Sequence, residues 1–324
     1  MSLFDTKTNR RGRRSKGAAP SSANQAARLS AQRLSSEAEP ARDSSSRLFW
    51  RRVIATAIAL ITLFIANILV FSHLYHTVEQ TRLRSLFRDE LAQSIAPTSE
   101  VTFDKVILKQ GDPVAIIKIP GIGVNEVVVE GTDSATLRSA PGHRRDTVLP
   151  GQQGLSIIMG RASAYGGPFS RLQSLPIGSK ITLITGQGVQ KYKSLGIRYA
   201  GDLTLPPVAA GQSRLVLMTA RGEPYNPHGI AQLDAQLISP VQPVGVRTTT
   251  TADVPREDRE FGFDLRYAWA LLLTIEFLIA AEVAAVWCYK RFGPRGTYLV
   301  FAPTLLYAAI LVMDQTTRLL PNLL

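Results

Sequence analysis

Residues 113–131 read PVAIIKIPGIGVNEVVVEG. Two β-rich runs, PVAIIKIP and NEVVVEG, are separated by Gly121-Ile122-Gly123. β-Branched side chains fit a pleated, half-buried surface, and Pro and Gly punctuate the turns between such runs. The texture continues downstream in GLSIIMG (154–160), KITLITG (180–186), QKYKSLGIRYA (190–200), SRLVLMTA (213–220) and AQLDAQLISPV (231–241). Many short strands with Gly and Pro between them predict a small all-β barrel or sandwich over 100–245. A stretch of about 145 residues can bury one core. Within SRLVLMTA the alternation puts Leu215, Leu217 and Thr219 on one face and Val216 and Met218 on the other.

Outside this region the apolar residues concentrate in three segments. Val53 to Phe71 is uncharged and, at about 1.5 Å per residue, spans roughly 28 Å, the thickness of a bilayer core. It begins after 52 residues and is too long for a signal-peptide core, so it reads as a retained anchor. Tyr267 to Cys288 and Tyr298 to Met313 are the other two, the last interrupted by Pro303. These give transmembrane helices over 51–74, 265–290 and 297–314.

The chain carries 37 Lys and Arg against 25 Asp and Glu, a net charge of +12. Residues 1–52 hold 12 basic and 4 acidic residues, a net of +8, and Lys290, Arg291 and Arg295 lie between the second and third segments. Basic flanks mark cytoplasmic sides. The expected topology is multi-pass in the cell membrane, with a cytoplasmic N-terminus and with the β region and the C-terminus extracytoplasmic. The positive charge is therefore a topology signal, and no nucleic acid partner is expected. Residues 1–50, rich in Ser, Ala and Arg, read as a disordered basic tail. Residues 75–98 read as a helix continuing outward, with Val78, Leu83, Leu86, Phe87, Leu91 and Ile95 near helical spacing. Thr-rich residues 246–264 read as a linker back to the membrane. Cys288 is the lone cysteine, so no disulfide forms within the chain. No cofactor or metal is expected.

The β region resembles the sortases, and among them the class E group of high-GC Gram-positive bacteria. The phrases carrying the resemblance are IIKIPGIGVNEVVVEGTDSATLRSAPGH, TVLPGQQGLSIIMGRASAYGGPFSRLQSLPIGSKITL and SRLVLMTARGEPY, in that order over about 112–240. The resemblance implies a mainly β, sortase-like barrel outside the membrane, to which the hydropathy above adds three transmembrane α-helices, two more than such an enzyme needs as an anchor. Sortases are membrane-anchored cysteine transpeptidases that cut sorting signals of the Leu-Pro-x-Thr-Gly type. Their chemistry needs a thiolate nucleophile, a His that handles protons and an Arg that steadies the oxyanion.

Carried over by position, the family His falls on Arg161, the Cys on Ala220 and the Arg on Ile230 or its neighbour Gly229. Ala has no nucleophilic atom, and an arginine stays protonated near neutral pH. The expectation is a degenerate member acting as a binding, assembly or regulatory subunit of surface-protein, pilus or envelope assembly. Its partners would be an active sortase, pilin or surface-protein machinery. The alternative is an active divergent sortase with other catalytic residues, or a Cys-to-Ala mutant. Candidate groove residues are His143, Arg161, Thr219, Arg221, Tyr225 and His228, with Arg161 offering a basic site for a carboxylate. In the membrane, Glu276 and Glu282 lie in an apolar run, where charge is costly and usually faces a partner. Asn67 on the first helix is a candidate contact for one of them.

Overall fold

The structure, a computed structural model, describes residues 40–102, 106–203 and 205–324; the basic tail expected over 1–50 lies mostly outside them. The first helix, α1 (Pro40–Ala66), passes through a π-helical turn at Asn67–Phe71 into α2 (Ser72–Ala92). The barrel follows as β1 (Pro113–Ile119), β2 (Val124–Glu130), β3 (Gly142–His143), β4 (Gly154–Met159), β5 (Lys180–Thr185), β6 (Gly188–Tyr199), β7 (Ser213–Glu223) and β8 (Asn226–Leu237). Two long helices end the chain, α3 (Ala268–Phe292) and α4 (Pro294–Leu319).

The eight strands close in the order β1-β2-β3-β4-β7-β8-β6-β5. Pairings β2/β3 and β4/β7 are parallel and the rest antiparallel. The opening stretch forms the β1/β2 pair, with Ile116 opposite Val127. Gly123, at φ 74°, turns the chain between them in a conformation that side chains disfavour. Inward-facing Ile117, Ile119, Leu183, Tyr192, Leu215, Leu217 and Leu233 fill the barrel.

Among the described residues three helices are long and apolar enough to cross a membrane: Ile58–Ala92, Leu265–Phe292 and Pro294–Leu319. The third runs beyond the span expected from sequence and continues through Pro303, which membrane-length helices tolerate.

The expected apolar stripe of α2 is only half used. Leu83 and Phe87 pack on Ile116, Val127 and Val129, whereas Val78, Leu86 and Ile95 are exposed. Above them the buried face is polar. Gln80 accepts from Val127 N at 2.7 Å and donates to Val127 O at 3.2 Å. Arg84, one turn on, donates to Asn125 O. Because β3 is two residues long, β2 has an open edge here, and α2 covers it with side chains.

The segment read as a linker is also built in. Val254 and Asp258 are buried and Phe261 packs against the barrel's outer face. Its polar composition hid this, because most of its contacts are hydrogen bonds and ion pairs to polar side chains, such as Thr132 Oγ1 on Asp258 O and Arg144 on Glu260.

Candidate functional site

Strand β7 follows the expected alternation. Leu215 and Leu217 face the barrel interior, while Val216, Met218 and Ala220 face outward. Outside, these three join Leu137, Ile157, Met159 and Leu323, with Ala162, Ile230 and Phe261 against the edge. Ala220 is 4% exposed and pairs directly with Ile230 on β8. The positions aligned with the family Cys and Arg are thus neighbours, and both carry hydrocarbon.

Arg161 follows β4. Gly160 N continues the ladder to Met218 O at 3.0 Å, and a Cβ on Gly160 would lie 2.5 Å from the Phe169 ring. That contact admits only glycine and steers Arg161 inward. Its side chain is fully buried. Nε donates to Leu137 O at 3.2 Å, Nη1 to Leu324 O at 2.9 Å, and Nη2 to Ser134 O at 2.8 Å and Ser134 Oγ at 2.9 Å. The guanidinium also lies over the Tyr165 ring at 5.2 Å. No Asp or Glu side chain hydrogen-bonds to it among the described residues. Burial lowers its pKa to about 10, which still leaves a cation at neutral pH. Arg161 is therefore a fixed donor set, unable to accept a proton from a nucleophile.

The groove over Ala220 is occupied by the chain's own last five residues, Leu320-Pro321-Asn322-Leu323-Leu324. Ser134 Oγ donates to Leu320 O at 2.8 Å, Asn322 N to Gly262 O at 3.0 Å, and Ala162 N to Leu323 O at 3.0 Å. Leu324 N returns to Pro321 O at 3.2 Å, closing a tight turn. Leu323 is fully buried in the apolar cluster that holds Ala220. Complete burial of one leucine contributes on the order of 1.5–3 kcal/mol. Asn322 Nδ2 donates to Thr132 O at 2.7 Å and Arg259 O at 2.8 Å, with Glu257 O at 3.4 Å.

Behind this wall lies Asp258, whose carboxyl is pushed up to about 6 by burial first and by the Asp133 charge second. Gln110 Nε2 reaches both of its oxygens at 3.4 Å.

The remaining candidate residues are spread over β3, β7, β8 and the β7–β8 turn, with Tyr225 within electrostatic reach of Arg161. Thr219 is buried toward the barrel interior, and its Oγ1 has no hydrogen-bond partner. His143 is buried on β3, with Nδ1 2.9 Å from Glu130 and Nε2 2.9 Å from Val148 O. Arg221 stacks over Tyr199 at 4.1 Å, and Tyr225 is half exposed with its N 3.3 Å from Ser163 Oγ. His228 is exposed on β8. Glu276 is exposed and Glu282 half-buried on α3. Asn67 lines a cavity of about 190 Å³ with Tyr75, Arg138, Tyr165, Ile310 and Asp314. No hydrogen bond joins it to either glutamate among the described residues. Nor do any three His, Cys, Asp or Glu side chains among those residues converge as a metal ion would need.

Sequence reading missed the tail, Ser134 and residues 257–262.

Residues 117–228 match the family model described as the sortase domain. No curated protein matches the chain. Among solved structures, the chain is similar to a sortase D5 transpeptidase from Clostridium perfringens, at 21% identity over 51% of this chain and 99% of that one, TM-score 0.40. It is similar to sortase C-1 from Actinomyces oris, at 24% identity over 40% and 76%, TM-score 0.35. A third is the SrtF sortase from Corynebacterium diphtheriae, at 19% identity over 47% and 97%, TM-score 0.38. At these identities the likeness is one of fold.

Proposed function

We propose that this chain is a catalytically silent, sortase-like membrane protein of the class E type. In this reading it binds or helps assemble partners in Gram-positive surface-protein, pilus or envelope processing. One observation carries it: Ala220, at the family Cys position, lies under a sealed apolar cluster, beside an arginine locked as a donor. Nucleophile, proton carrier and oxyanion donor are all absent from the positions where the family has them, while the surrounding barrel is intact. A groove that keeps its shape without its chemistry is suited to holding peptide. The tail lying in it opens with Leu320-Pro321, as sorting signals of the Leu-Pro-x-Thr-Gly type do. The N-terminus is cytoplasmic in this reading, and the barrel and C-terminus are outside.

The test is incubation of the full chain, in detergent, with a Leu-Pro-x-Thr-Gly peptide and an amine acceptor, read by mass spectrometry. The peptide should be recovered whole. Cleavage or transfer would overturn the proposal.

A further inference from the structure

We propose that Leu320–Leu324 is a tethered ligand of the groove, and that the site selects it by the carboxamide of Asn322. The inference rests on the reading that the groove binds peptide and does not cut it. The ligand class is a short Pro-Asn-Leu turn, held in cis by this chain and open to replacement by a segment of the same chemistry from another protein.

Three features distinguish a ligand from ordinary packing. The tail's main chain joins no strand or helix of the barrel. It is held by loop groups at both ends: Ser134 Oγ on Leu320 O, Ala162 N on Leu323 O and Arg161 Nη1 on Leu324 O. Arg161 hydrogen-bonds to no Asp or Glu side chain among the described residues, and its Nη1 is satisfied only by the tail.

The second feature is the reading of Asn322. Its Nδ2 faces three carbonyl oxygens, of Thr132, Arg259 and Glu257, and its Oδ1 meets no donor. Such a site accepts donors only. A carboxylate there would face three carbonyl dipoles of the same sign, and an aliphatic side chain would leave them unpaired in a buried place.

The third feature is the pocket itself. Leu323 lies among Leu137, Met159 and Ala220, so tail and pocket protect each other from water. If the tail swings out, the apolar floor over Ala220 is bare.

A tether raises the local concentration of its ligand to on the order of 1 mM, so a tail with an intrinsic Kd near 100 μM would weaken an incoming peptide about tenfold. The experiment uses the full chain in detergent and a fluorescein-labelled Leu-Pro-Asn-Leu-Leu peptide, read by anisotropy. Six proteins are compared: the intact chain, a chain lacking residues 320–324, the Asn322→Asp variant, and each of these three carrying Ala220→Cys in a Cys288→Ser background for maleimide labelling. The chain lacking the tail should bind the peptide about tenfold more tightly than the intact chain, and the Asn322→Asp chain should follow it. A labelled peptide with Asp in place of Asn should not bind. The thiol at position 220 should react about tenfold faster once the tail is removed or carries Asn322→Asp.

Equal peptide binding by intact and shortened chains overturns the proposal, as does absence of binding by a shortened chain that still unfolds cooperatively. If the shortened chain does not fold, the Asn322→Asp variant decides: a thiol as protected as in the intact chain overturns the proposal. Cleavage of the peptide would instead overturn the non-catalytic reading and leave the tail contact standing.

Discussion

Arg138 Nη2 donates to Asp314 Oδ1 at 2.6 Å, tying the loop before β3 to the last turns of α4. Arg138 is 7% exposed, and its guanidinium lies 5.2 Å from the Tyr75 ring of α2 and 5.0 Å from Tyr165. One cation thus joins two of the membrane-length helices to the barrel. Removing one member of a buried pair costs about 3–5 kcal/mol, and the partial exposure of Asp314 puts Asp314→Asn near the lower end. The check is thermal unfolding in detergent, where the variant should melt well below the wild type. An unchanged midpoint would contradict this role.

Restoring the sulfur alone should not restore chemistry. In Ala220→Cys the thiol would sit under Leu323, with Arg161 locked as a donor and Ile230 opposite. Arg161, already protonated, cannot take its proton, and Ile230 offers no donor to an oxyanion. Mass spectrometry of a Leu-Pro-x-Thr-Gly peptide should find no turnover, and a product would show that the site retains more machinery than these residues supply.

Arg161→Lys keeps the charge and should still destabilise. The guanidinium serves Leu137 O, Ser134 O, Ser134 Oγ and Leu324 O from three nitrogens, whereas an ammonium presents its donors from one. Leaving one or two buried carbonyls unpaired costs about 1–3 kcal/mol. Urea unfolding would register the loss as a lower midpoint, and an unshifted midpoint would mean that water satisfies the carbonyls.

Asp258 should make stability fall with pH. Its folded-state pKa is raised from the ordinary 3.8 to about 6, by burial and then by Asp133, against the opposing pull of Arg145. A carboxyl that holds its proton more tightly when folded stabilises fully below the unfolded value, and the benefit is lost as pH rises to the folded value. Between pH 4 and pH 6 the wild type should therefore lose stability that Asp258→Asn keeps. Melting curves across that range test it: parallel profiles for the two proteins would remove Asp258 from the account.

The barrel was legible because its strands obey short-range rules. SRLVLMTA alternates, and its two faces landed where the alternation put them, Leu217 inside and Met218 outside. Three helices of membrane length were legible by length and hydropathy among the described residues. Arg161, Ala220 and Ile230 were singled out by the resemblance alone; Ala220 lies in one apolar cluster with Ile230 against its edge. What sequence could not give was long-range. Asn322 meets Thr132 across 190 residues, and no local pattern encodes that pairing. The polar half of the α2 face was hidden for a related reason. Gln80 is buried because it completes hydrogen bonds of β2, and a search for apolar spacing passes over it.

That last contact bears on how the barrel can be handled. Gln80 on Val127 and Arg84 on Asn125 cover main-chain groups that β3 is too short to reach. A barrel cut free at residue 100 would present this bare ribbon to solvent, beside the apolar patch left by Leu83 and Phe87. Uncovered ribbon edges next to hydrocarbon recruit other chains. The isolated barrel should therefore precipitate or form cross-chain sheets unless α2 travels with it, which makes α2 a chaperone of the strand it covers.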